Sequence, residues 1–131
     1  MENYFLKVKN YLLELNFTIV DENEDENLLI IENENEGISN MILICADPIL
    51  IMEQFLFETK TGDVEVYKSL LQKNQDIIHG AFVLDQSGTK VLFRDTLQLE
   101  NLDLNELEGS LNSLAFLLSE YSAKILEFAK K

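Results

Sequence analysis

A chain of 131 residues with 24 acids against ten bases, a formal charge of −14, is still 47% hydrophobic. That length suits one domain spanning residues 1–131, able to bury roughly two-thirds of its unfolded surface without a disulfide or a metal. The charge excludes nucleic acid and anionic membrane surfaces as partners, because each phosphate contact asks for a Lys or Arg.

Residues 3–15 read as an amphipathic helix. Tyr4, Phe5, Val8, Tyr11, Leu12 and Leu15 recur at spacings of three and four, with Lys7, Lys9 and Glu14 between them. Asn16 suits its end, since Asn tolerates the left-handed conformation. Strand-like runs follow at 17–20, 28–31, 41–46 and 49–57. Asp47-Pro48 and Gly37 supply turns between them, so the segment reads as an antiparallel meander of three or four strands.

Helical spacing returns at 64–75, where Val64, Val66, Tyr67, Leu70 and Leu71 share a broad face and Asp63 is placed to cap. Asn74 reads as a cap for the end of this helix. Ala81–Leu84 and Val91–Phe93 flank a turn ending at Gly88, the pattern of a β-hairpin. From Leu104 to Phe128 the apolar residues keep alternating spacings of three and four, which predicts one helix of about 27 residues and roughly 40 Å. Asp103 and Glu106 form a potential capping box at its start. Ala115, Phe116 and Leu117 widen the stripe beyond a coiled-coil seam and favour packing onto a sheet. Gly109 inside that helix costs about 1 kcal/mol relative to Ala and reads as simply tolerated.

The expected fold is therefore α+β: an antiparallel sheet of five to six strands with three helices, in the order α-β-β-β-α-β-β-α, with a fourth strand before the second helix as the variant.

Chemistry-bearing motifs are sparse. His79 is the sole histidine, and no nucleophile lies at a recognisable spacing from it. Cys45 lies in an apolar run, where a thiol behaves as a small hydrophobe, and one cysteine forms no internal disulfide. Asp21, Asn23, Asp25, Asn27 and Glu32 echo the spacing of an EF-hand loop, but its sixth position holds Glu26 where the turn needs Gly, and the flanks read as strand. The five glycines are scattered, so no phosphate-binding loop is formed. Asn16-Phe-Thr18 matches a glycosylation sequon that carries no weight without a secretion signal, and none is visible near Met1. The 41–46 run is too short to span a bilayer. These features predict a cytoplasmic protein with no catalytic residues, no cofactor and no metal.

The element order, with Val66–Asn74, Ala81–Asp85, Gly88, Val91–Phe93 and Leu104–Ala123 as its most telling parts, resembles the type III secretion chaperone-like fold and, within it, the YbjN-type bacterial proteins. The resemblance implies a convex or twisted antiparallel sheet with helices at its edges and on one face, and a small, acidic, often dimeric protein without enzymatic activity. The expected function is non-enzymatic binding of a protein client, as a homodimer, through the sheet edge and helix-two residues such as Val66, Tyr67 and Leu70. The alternative is a small-ligand or metal-sensing regulator that uses the acidic hairpin near residues 21–32.

Overall fold

The computed structural model describes residues 3–60 and 62–130. Helix α1 spans Tyr4–Glu14, capped by the Asn3 side chain, which accepts from the Leu6 N–H at 3.1 Å. Phe5, Val8 and Leu12 are its buried stripe. Asn16 turns left-handed at φ 68°, and the Phe17 N–H closes back on the Leu12 carbonyl at 2.9 Å. The helix stops there because the chain reverses direction into the sheet.

Six strands follow: β1 Thr18–Asn23, β2 Leu28–Asn33, β3 Ile38–Ala46, β4 Ile49–Glu58, β5 Ala81–Leu84 and β6 Lys90–Gln98. They form one antiparallel sheet in the order β1-β2-β3-β4-β6-β5. Four strands precede helix α2, Val64–Asn74, so the fuller of the two expected element orders is the one found. β1 and β2 extend into residues too acidic and too Asn-rich to read as strand from composition. They are joined by a 3₁₀ turn at Glu24–Glu26 that ends on Asn27 at φ 55°. A second 3₁₀ turn at Glu34–Glu36 ends on Gly37 at φ 73°, a left-handed position where Gly carries no Cβ penalty. Asp47-Pro48 makes the tight β3–β4 connection with a cis peptide bond.

Side-chain alternation divides the sheet. Leu29, Ile31, Met41, Leu43, Leu50, Met52, Val91 and Phe93 point inward, and each is at most 1% exposed. The buried sides of all three helices join these residues in one core. Asp63 caps α2 by accepting from the Val66 N–H at 3.3 Å. Helix α3 runs Leu104–Ala129, capped by Asp103 accepting from the Glu106 N–H at 2.8 Å. Leu107, Leu111, Leu114, Leu117 and Phe128 bury its apolar stripe against β4 and β6, so sheet packing, not a coiled-coil seam, is what the wide stripe serves.

Aromatic rings fasten the second half of α3. Tyr121 stands 5.7 Å from Phe82, and Phe128 stands 6.2 Å from Phe57, spacings at which tilted ring pairs attract. Lys73 of α2 lies 5.2 Å from the Tyr121 ring. Buried Ser110 donates to the Asp95 carboxylate of β6, whose other oxygen accepts from the Thr96 N–H at 2.8 Å. Buried Gln54 is likewise satisfied, accepting from the Ser39 N–H and donating to the Gly37 carbonyl.

Candidate functional site

With the three helices drawn to one face, the other face of the sheet is left without a layer among the described residues. That face is apolar. Cross-strand partners share a face, and here Ile30 pairs with Ile42, Ile44 with Ile51 and Phe55 with Leu92. These six side chains are half-buried by their neighbours or exposed, Phe55 at 53%. Glu53 and Arg94 sit among them, paired at 3.6 Å, and Asp21 of β1 borders them opposite Ile30. A largely apolar, Ile-rich surface on a protein of −14 is the opposite of a solvation coat, and contiguous apolar exposure of this kind marks an interaction surface.

A cleft of about 970 Å³ adjoins one end of the sheet. β3 pairs with β4 only over Ala46–Ile42 and Ile49–Glu53, so from Gln54 onward β4 has a free side. Asn40 at φ 50° carries the start of β3 away from it. Helix α3 crosses this opening. Phe55, Leu56, Phe116, Ile125 and Leu126 line the cleft floor, and Glu34 and Glu36 stand on its rim.

A smaller apolar groove, about 190 Å³, runs between α2 and the edge strand β5. Tyr67 and Leu70 line it together with Leu71 and Leu84. Of the three residues expected to bind protein, then, Tyr67 and Leu70 reach a groove, while Val66 is fully buried. Tyr67 is held by its hydroxyl, which donates to the Gly88 carbonyl at 2.7 Å. Leu71 and Val64, 69% and 70% exposed, form the open part of the helix. Val64 and Val66 cannot share a face, because two residues along a helix lie about 200° apart.

The acidic hairpin does not assemble a cation site. Asn23 spends its side chain accepting from the Glu26 N–H, Asp21 accepts from the Glu22 N–H, and Glu22 pairs with Lys9 at 2.9 Å. Among the described residues no three His, Cys, Asp or Glu side chains converge as metal ligands would. His79 is exposed beside Lys73, Asp76, Ser113 and Glu120, with no hydrogen-bonded nucleophile among the described residues. Cys45 is buried, and burial pushes its thiol up to about 11, away from the thiolate chemistry a nucleophile needs. Among the described residues no helix is long and apolar enough to cross a membrane.

Sequence reasoning missed the uncovered face. A signal for it was present: the runs at 28–31, 41–46 and 49–57 are apolar at both alternations, as in a sheet covered on both faces, yet three helices supply one covering layer.

Known structures share this architecture. YbjN from E. coli superposes with a TM-score of 0.69 at 12% identity, covering 92% of each chain. SchA, in the HopA1–SchA chaperone–effector complex, gives a TM-score of 0.62 at 15% identity over 98% of this chain and 96% of that one. The Yersinia pestis type III secretion chaperone SycH, solved with a stable fragment of YscM2, gives 0.59 at 16% identity over 95% and 98%. No curated protein matches the sequence. At these identities the structures speak for the fold. The family model CesT_Tir_1, however, matches residues 1–131, and the chain therefore belongs to that family of type III chaperones.

Proposed function

We propose that this protein is a non-enzymatic, chaperone-like binding domain that holds a segment of a protein client, acting as a homodimer in the cytoplasm. The observation that carries the reading is the uncovered sheet face, where Ile30, Ile42, Ile44, Ile51, Phe55 and Leu92 form one apolar surface around a neutralised ion pair. Covering such side chains is favourable at roughly 25 cal/mol per Å². A client segment covers them without requiring the chain to catalyse anything. The fold neighbours support the reading, since SchA and SycH were each solved with a protein partner. The α2–β5 groove with Tyr67, Leu70 and Leu71 is the second apolar surface of this reading, and the one we assign to self-association.

The test is suppression of aggregation. The wild-type chain is expected to keep a denatured basic test protein in solution at near-stoichiometric ratios, and the double variant Ile42→Lys/Ile51→Lys to lose that effect. A wild-type chain with no effect at excess overturns the client reading. Light scattering tests the dimer separately: a mass of twice 15.1 kDa is expected, falling to the monomer in Leu71→Lys. A monomer at high concentration removes self-association and leaves client binding standing.

A further inference from the structure

The cleft between α3 and the free side of β4 differs in character from the sheet face. Its floor is apolar, with Phe55, Phe116 and Leu126 exposed at 53%, 69% and 62%, the densest grouping of strongly exposed large hydrophobics that any one depression of the fold collects. Its charged lining residues are both acids, Glu34 and Glu36. A narrower cleft of about 90 Å³ continues from it along α3, sharing Glu36 and Asn112 and adding Glu108. Among the described residues no Lys or Arg lines either cleft. The acids stand on fixed backbone, at the 3₁₀ turn between β2 and β3 and on the first half of α3. The apolar anchors lie beside them on β4 and the second half of α3.

This is charge and shape for one kind of occupant. We propose that the α3–β4 cleft receives a cationic peptide segment of a protein partner, with aromatic or aliphatic side chains seated on Phe55, Phe116 and Leu126 and flanking Lys or Arg side chains meeting Glu34, Glu36 and Glu108. The segment's length follows from the helix it lies along. Asn112 to Leu126, the lining stretch of α3, spans about 21 Å at 1.5 Å per residue, the reach of about six extended residues. An acidic or polar segment is rejected, because its charges would face the rim carboxylates across a low-dielectric floor. The inference rests on the protein-binding reading and names the chemistry of one partner. It shares Phe55 with the open sheet face and otherwise uses residues of α3 and of the turn between β2 and β3.

The experiment is fluorescence anisotropy with two labelled synthetic peptides. Both carry the same Phe and Leu residues, one flanked by Lys and Arg and the other by Glu. The cationic peptide is expected to bind, and its affinity to fall at least tenfold between 50 mM and 500 mM salt. Binding is expected to fall at least tenfold in Glu34→Lys/Glu36→Lys and in Phe116→Ala. It is expected to change less than threefold in Glu24→Lys/Glu26→Lys, which makes the same net-charge change at the opposite end of the sheet, where the β1–β2 turn lies. The acidic peptide is expected not to bind. Equal losses in the two charge-reversal pairs mean the peptide reads only the overall charge, and overturn the cleft. Binding that survives all cleft variants but is lost in Ile42→Lys moves the site to the sheet face, which overturns the cleft and leaves the client reading intact. No binding by the cationic peptide overturns the cleft, and the aggregation assay then judges the client reading on its own. Phe116 is exposed, and its loss leaves the core untouched, so folding of that variant is checked by an unchanged melting temperature.

Discussion

The side chain of Asn74 pairs with both backbone groups of Phe82: its Oδ1 accepts from the Phe82 N–H at 2.8 Å, and its Nδ2 donates to the Phe82 carbonyl at 3.1 Å. Phe82 lies in β5, the sheet's outer strand, which pairs on its other side with β6. The amide of the last α2 residue thus stands in for a missing strand at Phe82, where the edge would otherwise present a donor and an acceptor together. Asn74 was read from the sequence as capping its helix. The observed C-cap is Gln75, and the Asn74 side chain serves the sheet. This arrangement also weakens edge pairing as a docking route, and it turns attention to the apolar face.

The Asn74 pairing predicts a specific cost. Asn74→Ala leaves two half-buried backbone groups without their partners and is expected to destabilise the chain by about 1–3 kcal/mol in urea unfolding. It is also expected to raise self-association, seen as concentration-dependent light scattering, because β5 regains a pairing edge. Asn74→Asp keeps the acceptor and loses the donor, and belongs between the two. An Asn74→Ala variant as stable and as monodisperse as wild type would show that the edge needs no guard.

Two glycines give opposite expectations. Gly80 sits at φ 86°, and a Cβ there would run into the Phe93 ring and come within 2.9 Å of the Arg94 carbonyl oxygen. Gly80→Ala combines left-handed strain, about 1–2 kcal/mol, with overpacking of about 1–3 kcal/mol against a buried ring. It is expected to unfold a marginal domain or cut its melting temperature sharply. Gly109 lies inside α3, where an added Cβ meets nothing within 4 Å. Gly109→Ala is expected to stabilise by about 0.5–1 kcal/mol, because the helix gains propensity at no steric cost. A destabilised Gly109→Ala in dilute protein would mean another backbone does approach there, from a second copy.

The two alternations of β2 and β3 should respond differently to charge. Ile31 is fully buried, and Ile31→Lys would strand an ammonium group in the core, a penalty that exceeds the stability of most domains of this size. Ile42, on the uncovered face and opposite Glu53, is 37% exposed. Ile42→Lys is expected to change the unfolding free energy by less than about 1 kcal/mol, since the new ammonium group reaches water and a carboxylate. Matching melts for wild type and Ile42→Lys, beside an insoluble Ile31→Lys, would establish that no part of the chain covers the outer face. A collapse of Ile42→Lys would show the face is covered.

Much of the fold was readable because local signals agreed with one another. Asp63 and Asp103 were placed as caps from residue type and position alone, and both accept the bond expected of them. Gly88 and Gly37 mark turns because only left-handed backbone closes them, at φ 77° and 73°. What eluded the sequence depends on distance. Asn74 and Phe82 are joined across a loop, and residue type says nothing about which backbone a side-chain amide will find. Ser110 is polar in an apolar stripe, and only the sheet behind it shows that it answers Asp95. The docking surfaces were the least legible part. Leu43 and Ile42 are indistinguishable as letters, and their opposite fates follow from which face the helices choose.

Cys45 provides a pH test of burial itself. Its thiol is pushed from 9.0 up to about 11 by burial, which disfavours the thiolate. Below pH 9 both the folded and unfolded chains hold the proton, and the group contributes nothing to pH dependence. Between pH 9 and 11 the unfolded chain releases the proton while the folded chain keeps it, so the unfolded state binds fewer protons and stability falls as pH rises. The loss attributable to this one group is about 1–2 kcal/mol by pH 11. Tyr121 is also raised, by its own partial burial. The measurement is therefore a difference: urea melts of wild type and Cys45→Ala at pH 8, 9, 10 and 11. Cys45→Ala is expected to start less stable, through the lost side-chain volume, and to close the gap as pH rises. Parallel curves would mean that Cys45 titrates alike in both states, and that the inner face of β3 admits water at its end.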